Sequence, residues 1–133
     1  MSQQWRDGSA PENPVILLAE DEPVVRSVVD YALTRAGYTV IVAADGAEAL
    51  AISRAYAGKI DLLLTDVKMP GLTGPELAAA LLRERPGIRI VLMTGHSSGE
   101  VPQPWREGIL FKPFLPQHLV MRIQRELRDC SPS

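Results

Sequence analysis

The chain is poor in the residues that make covalent staples and soft metal sites. It has one cysteine, Cys130, close to its end, and two histidines, His96 and His118. A single thiol excludes an internal disulfide and a cysteine-based zinc site, and two histidines exclude a histidine-rich cage. Basic excess is lacking too: 14 lysines and arginines stand against 16 acidic residues, for a net charge of −2. With no basic stripe to release counterions, a nucleic-acid partner is not expected. Long apolar runs are absent. Val15–Ala19 is a compact apolar stretch, far short of the roughly 20 residues that span a bilayer. The first fourteen residues are polar and contain no signal-peptide core. No membrane partner is expected, and a cytoplasmic location follows as the default.

What is present is ordinary for a folded domain: 133 residues, 46% hydrophobic and 23% charged. That is one domain with enough core to fold without metal or disulfide. Residues 1–14 read as a flexible arm, 15–129 as the folded domain and 130–133 as a tail.

Within the domain, strand and helix patterns alternate. Val15–Ala19 reads as a strand buried on both faces. Pro23 fits a first helical turn, and Val25, Val28, Val29, Ala32 and Leu33 form one helical face ended by Gly37. Thr39–Ala43 is a second strand. Asp45 caps a second helix whose apolar side is Ala47, Leu50, Ala51 and Ala55, closed by Gly58. Ile60–Thr65 is a third strand. Thr73-Gly74-Pro75-Glu76 matches a capping box before a helix faced by Leu77, Ala80 and Leu81. Residues 89–93 and 108–111 are strands, and 116–129 is a last helix with Leu119, Ile123 and Leu127 in one row. Repeated strand–helix units imply a parallel sheet covered on both faces, an α/β doubly wound fold.

In such folds the ligand site lies beyond the carboxyl ends of the strands. The residues there are Glu20, Asp21 and Glu22 after strand one, Asp66 after strand three, Thr94 after strand four and Lys112 after strand five. Each alone has a bland reading, as helix-dipole charge, cap, turn residue or solvated lysine. All of them at equivalent strand ends make a carboxylate cluster beside a hydroxyl and a lysine. Packed carboxylates repel and call for a cation, and hard oxygen ligands favour Mg2+ over zinc. Such a cation can accept a phosphoryl oxygen, with lysine and threonine as donors to the same group.

These stretches resemble the receiver domain of bacterial two-component response regulators, the CheY-like proteins. The resemblance rests on Leu17-Leu18-Ala19-Glu20-Asp21-Glu22-Pro23, on Leu62 to Gly71 with its Asp66-Val67-Lys68-Met69-Pro70 core, on Val91-Leu92-Met93-Thr94-Gly95 and on Phe111-Lys112-Pro113-Phe114. It implies a flavodoxin-like five-stranded sheet of order 2-1-3-4-5. It implies Asp66 as phosphoacceptor and Mg2+ held by Asp21, Asp66, the backbone carbonyl of Lys68 and, through water, Glu20. Thr94 and Lys112 would hold the phosphoryl oxygens, and the Lys112-Pro113 peptide would be cis. The implied partner is a sensor histidine kinase or a phosphotransfer protein, with an unnamed downstream target. The only reactions implied are transfer to the protein's own Asp66 and hydrolysis there, so an enzyme acting on a separate substrate is not expected.

Three departures from the family pattern stand out. Ile109 occupies the switch position that is usually Tyr or Phe. The stretch between Thr94 and Lys112 is short and holds Pro102 and Pro104, so a short or irregular fourth helix is expected. Lys68 and His96 sit at the positions that flank the phosphoryl group and are expected to tune its lifetime. The Met93-Thr94-Gly95-His96 turn resembles receivers attached to sensor kinases. Met1 and the polar arm favour a stand-alone regulator slightly over a receiver cut from a hybrid kinase. Among rivals, a dehalogenase-type phosphatase wants Asp-x-Asp after its first strand, and a dinucleotide site wants glycines there; the sequence offers neither. A pseudo-receiver that only binds proteins is the remaining alternative, yet none of Asp66, Thr94 and Lys112 is missing.

Overall fold

The computed structural model describes residues 13–95 and 109–129. Five strands and four helices are found among them: β1 (Val15–Ala19), α1 (Pro23–Arg35), β2 (Thr39–Ala43), α2 (Gly46–Ala55), β3 (Leu62–Asp66), α3 (Gly74–Glu84), β4 (Arg89–Thr94), β5 (Leu110–Phe111) and α4 (Pro116–Asp129). All strand pairs are parallel, and the order is β2-β1-β3-β4-β5. This is the doubly wound α/β fold that the strand–helix alternation predicts, in the strand order that the resemblance implies.

Alternation along each strand divides the core in two. Ile16, Leu18, Leu62, Leu64, Val91 and Met93 face one side and pack with Val29 and Leu33 of α1 and Leu119 and Ile123 of α4. Leu17, Ala19 and Leu63 face the other and pack with Ala49 of α2 and Leu77, Ala78 and Leu81 of α3. The central strands β1 and β3 are buried on both faces, which is why they read as unbroken apolar runs.

Local signals set the helix ends. Pro23 stands at the start of α1, where its missing N–H costs nothing. Gly37 follows the α1 cap Ala36 with φ +104°, a conformation that a side chain disfavours. The Asp45 side chain accepts from the Glu48 N–H, and Thr73 and Glu76 complete a reciprocal capping box.

Several expectations are corrected. The buried face of α2 is Gly46, Ala49 and Ser53, with Leu50 half-buried; Ala47, Ala51 and Ala55 are exposed. Ser53 is inside because Arg85 holds it, donating to its hydroxyl and its carbonyl at 2.9 Å each. Val28 is 47% exposed, since the α1 stripe that meets the sheet centres on Val29 and Leu33. Strand β3 runs Leu62–Asp66 and β4 runs Arg89–Thr94, so Asp66 and Thr94 close their strands and do not follow them. The helix α2 stops at Ala55, before Gly58. The expected short fourth helix with Pro102 and Pro104, His96 and Cys130 lie outside the described residues. No helix among the described residues is long and apolar enough to cross a membrane.

Candidate functional site: an acidic cleft at the carboxyl edge of the sheet

Four neighbouring strands deliver the site. β1 runs into Glu20 and Asp21, β3 ends on Asp66, β4 ends on Thr94, and β5 runs into Lys112. Asp21, Glu22, Asp66, Lys68, Thr94, Gly95 and Lys112 line a cleft of about 290 Å³. The structure therefore brings Asp21, Asp66, Lys68, Thr94 and Lys112 together, with Glu20 beneath them, while the switch position Ile109 lies apart from the cleft. The cleft is not the roomiest on the surface, and the carboxylates of Asp21, Glu22 and Asp66 line it.

Lys112 lies across the cleft. Its Nζ is 2.9 Å from Asp66 Oδ1 and 3.0 Å from Glu20 Oε1. The Lys112-Pro113 peptide is cis, as the resemblance implied. The backbone of the same lysine donates to the Thr94 carbonyl at 2.8 Å, which extends the β4–β5 ladder by one step. Glu20 is 0% exposed, and such a carboxylate survives burial only when its oxygens are bonded. Its Oε1 takes the lysine, and its Oε2 accepts from the Glu22 N–H at 3.1 Å.

The electrostatics are frustrated. Burial pushes the Asp66 carboxyl up most strongly, the hydrogen bond from Lys112 pulls it down, and the negative Glu20 pushes it up again; the result is a pKa of about 7. For Lys112, burial works against the ammonium, but the bonds to Asp66 and Glu20 outweigh it and raise the pKa. One lysine between two buried carboxylates leaves net negative charge, and the exposed Asp21 adds to it.

A hard divalent cation fits this charge. Carboxylate oxygens of Glu20, Asp21 and Asp66 all lie within 4.8 Å of one another. Three oxygen donors suit Mg2+, which binds through a few carboxylates and keeps waters.

Two contributors escaped the sequence reading. Gly74, noted only as part of a capping box, opens α3 against β3: a Cβ there would overlap the Asp66 carbonyl oxygen. Its own N–H donates to the Val67 carbonyl at 2.8 Å. A glycine in the first turn after the Asp66 loop is the signal that could have revealed it. Arg26 bonds the Glu20 carbonyl at 2.7 Å, and nothing in the local pattern of α1 announces this. Ile109 is buried among Val67, Leu92 and Ile90, and His118 is exposed on α4.

Fold and cleft together define a doubly wound α/β domain of the flavodoxin-like type, with an acidic cleft that could hold a cation, crossed by a lysine. The family model for the response regulator receiver domain matches residues 16–124, and the chain belongs to that family. The sensor kinase CckA of Brucella abortus is 35% identical over 116 residues, 84% of this chain and 12% of that protein. The chemotaxis protein CheY4 of Vibrio cholerae superposes with a TM-score of 0.78 at 33% identity, covering 86% of this chain and 99% of that one. The response regulator TrrA of Thermotoga maritima, solved in complex with Mg2+ and BeF, gives 0.74 at 28% identity, over 84% and 97% of the two chains. The curated relatives are longer: the chain spans 12% of CckA and 53% of the phosphate regulon regulator PhoB of Pseudomonas aeruginosa.

Proposed function

We propose that this receiver carries a phosphoryl group on Asp66, in a Mg2+-dependent phosphorelay, and so switches its protein contacts. The observation that carries this reading is the meeting of Asp66 with Glu20, Asp21, Thr94 and Lys112 in one cleft. An Asp66 carboxylate oxygen attacks the phosphorus of a phospho-histidine. The P–N bond breaks, its electron pair stays on the imidazole, and an acyl phosphate remains on the aspartate. Lys112, bonded to Asp66 Oδ1, favours the ionised carboxyl that this attack needs. After transfer its ammonium and the Thr94 hydroxyl are the donors for the phosphoryl oxygens. Glu20 keeps the ammonium aimed into the cleft. Bound Mg2+ would supply positive charge against the incoming phosphoryl oxygens. Asp21, Asp66, the Lys68 carbonyl and Glu20 would hold it, and TrrA, with its Mg2+ and BeF, supports that reading.

The phosphodonor is a sensor histidine kinase or a phosphotransfer protein, in keeping with a sensor kinase among the relatives. No separate substrate is turned over. Lys68, which lines the cleft, sets the lifetime of the acyl phosphate together with His96, and Ile109 stays packed in both states. Incubation with acetyl phosphate and Mg2+, read by intact mass, tests the assignment. One added phosphoryl is expected in the parent chain and none in Asp66→Ala. Equal labelling of both moves the acceptor elsewhere, and no labelling of the parent favours a pseudo-receiver.

A further inference from the structure

We propose that Arg26 is a positioning residue for the Mg2+ cleft, acting through the Glu20 carbonyl on the carboxylate of Asp21. This rests on the phosphoacceptor reading of the cleft and concerns how its cation ligands are held.

Asp21 is the most exposed of the three clustered acids, and among the described residues no side chain holds its carboxylate. Its place is therefore set by the backbone on either side. Glu20 and Glu22 are fixed as follows. The Glu20 N–H donates to the Ala43 carbonyl at 3.1 Å, the Glu22 N–H to Glu20 Oε2 at 3.1 Å, and the Arg26 N–H to the Glu22 carbonyl at 2.9 Å. The Glu20 carbonyl is the difficult group. It lies past the last residue of β1, so no sheet ladder reaches it, and before the cap of α1, so no helical N–H reaches it. Glu20 is 0% exposed, so water does not replace these partners. The Arg26 guanidinium supplies the donor, at 2.7 Å. A buried carbonyl without a donor would rotate toward one, and the peptide that turns with it is the one leading into Asp21. The guanidinium also brings positive charge to a turn with three successive acids. Helix α1 thus locks the acidic turn to itself through one side chain.

The test is Mn2+ binding by electron paramagnetic resonance, joined to the Mg2+-induced rise in Tm, for the parent chain, Arg26→Met, Arg26→Lys, Arg26→Gln and Asp21→Ala. Arg26→Met should bind Mn2+ at least fivefold more weakly, with circular dichroism unchanged, and should lose most of the Mg2+-induced rise. Arg26→Lys, which keeps a charged donor, should recover part of both. If Arg26→Met does not fold, Arg26→Gln carries the same expectation in weaker form. Metal affinity within twofold of the parent in the folded variants overturns the proposal. Failure of the parent itself to bind Mn2+ overturns the metal reading instead, and that result is distinct because Asp21→Ala would then match the parent.

Discussion

Two places in this molecule gather polar groups around a single cation, and they do it with opposite balance. At the amino edge of the sheet, Arg85 donates to the Ser53 hydroxyl, the Ser53 and Tyr56 carbonyls and the Gly58 carbonyl, all at 2.8 to 2.9 Å. Its acceptors are neutral, so one charge meets four dipoles. At the carboxyl edge, Lys112 faces two carboxylates, with a third beside them. The first arrangement holds the end of α2 against α3. The second is left short of positive charge and ready to take it up. The difference separates a fold-stabilising polar cluster from a ligand site: the first is complete without a partner, and the second is not.

The comparison can be broken from either side. The largest effect is expected from Gly74→Ala, because the added carbon meets the backbone of Asp66 and α3 must move; urea melts should show a loss of about 3 kcal/mol, at the upper end for overpacking. Arg85→Met should follow. It strips the charged donor from four acceptors, and about 2 kcal/mol should be lost, with no change in metal affinity.

Asp66→Asn should act in the opposite direction. Because the folded Asp66 has its pKa raised to about 7, the folded state holds its proton where the unfolded chain has lost it. Stability should therefore fall as pH climbs from about 4, the ordinary carboxylate value, toward 7. Thermal melts of the metal-free protein should show this fall, and Asp66→Asn should lack it, gaining a few degrees at pH 8 and little near pH 4. A parent chain whose Tm does not fall over that range would contradict the frustrated balance. The smallest effect is expected from Arg54→Ala. The Arg54–Glu84 pair is short, at 2.8 Å, but both side chains are in water, and the change should stay within the scatter of the melts.

Much of this was readable in the chain because the two strongest signals are local. Val15–Ala19 and Ile60–Thr65 read as buried strands, and once the parallel order implied by the resemblance is granted, Glu20, Asp21, Asp66, Thr94 and Lys112 share an edge. The capping box at Thr73 was equally plain. What failed was set by distant partners. The buried face of α2 was misjudged because its alanines carry little preference, and because Ser53 is drawn inward by an arginine 32 positions later. Val28 looked like core because a helical period cannot tell a wide apolar stripe from a narrow one. Arg26 was passed over because its value lies in a carbonyl that only the folded turn leaves stranded.

Strand β5 has two residues, Leu110 and Phe111, and among the described residues pairs with β4 alone. So short a ladder is weak on its own. Yet Lys112, the next residue, reaches back past β4 to Asp66 on β3 and on to Glu20 after β1. The ion pair is therefore also a fastening, a strap that ties the rim of the sheet to its middle. Whatever turns the ammonium to a new anion changes the tension in that strap, so the mechanical hold on the edge strand is tied to the electrical state of one aspartate.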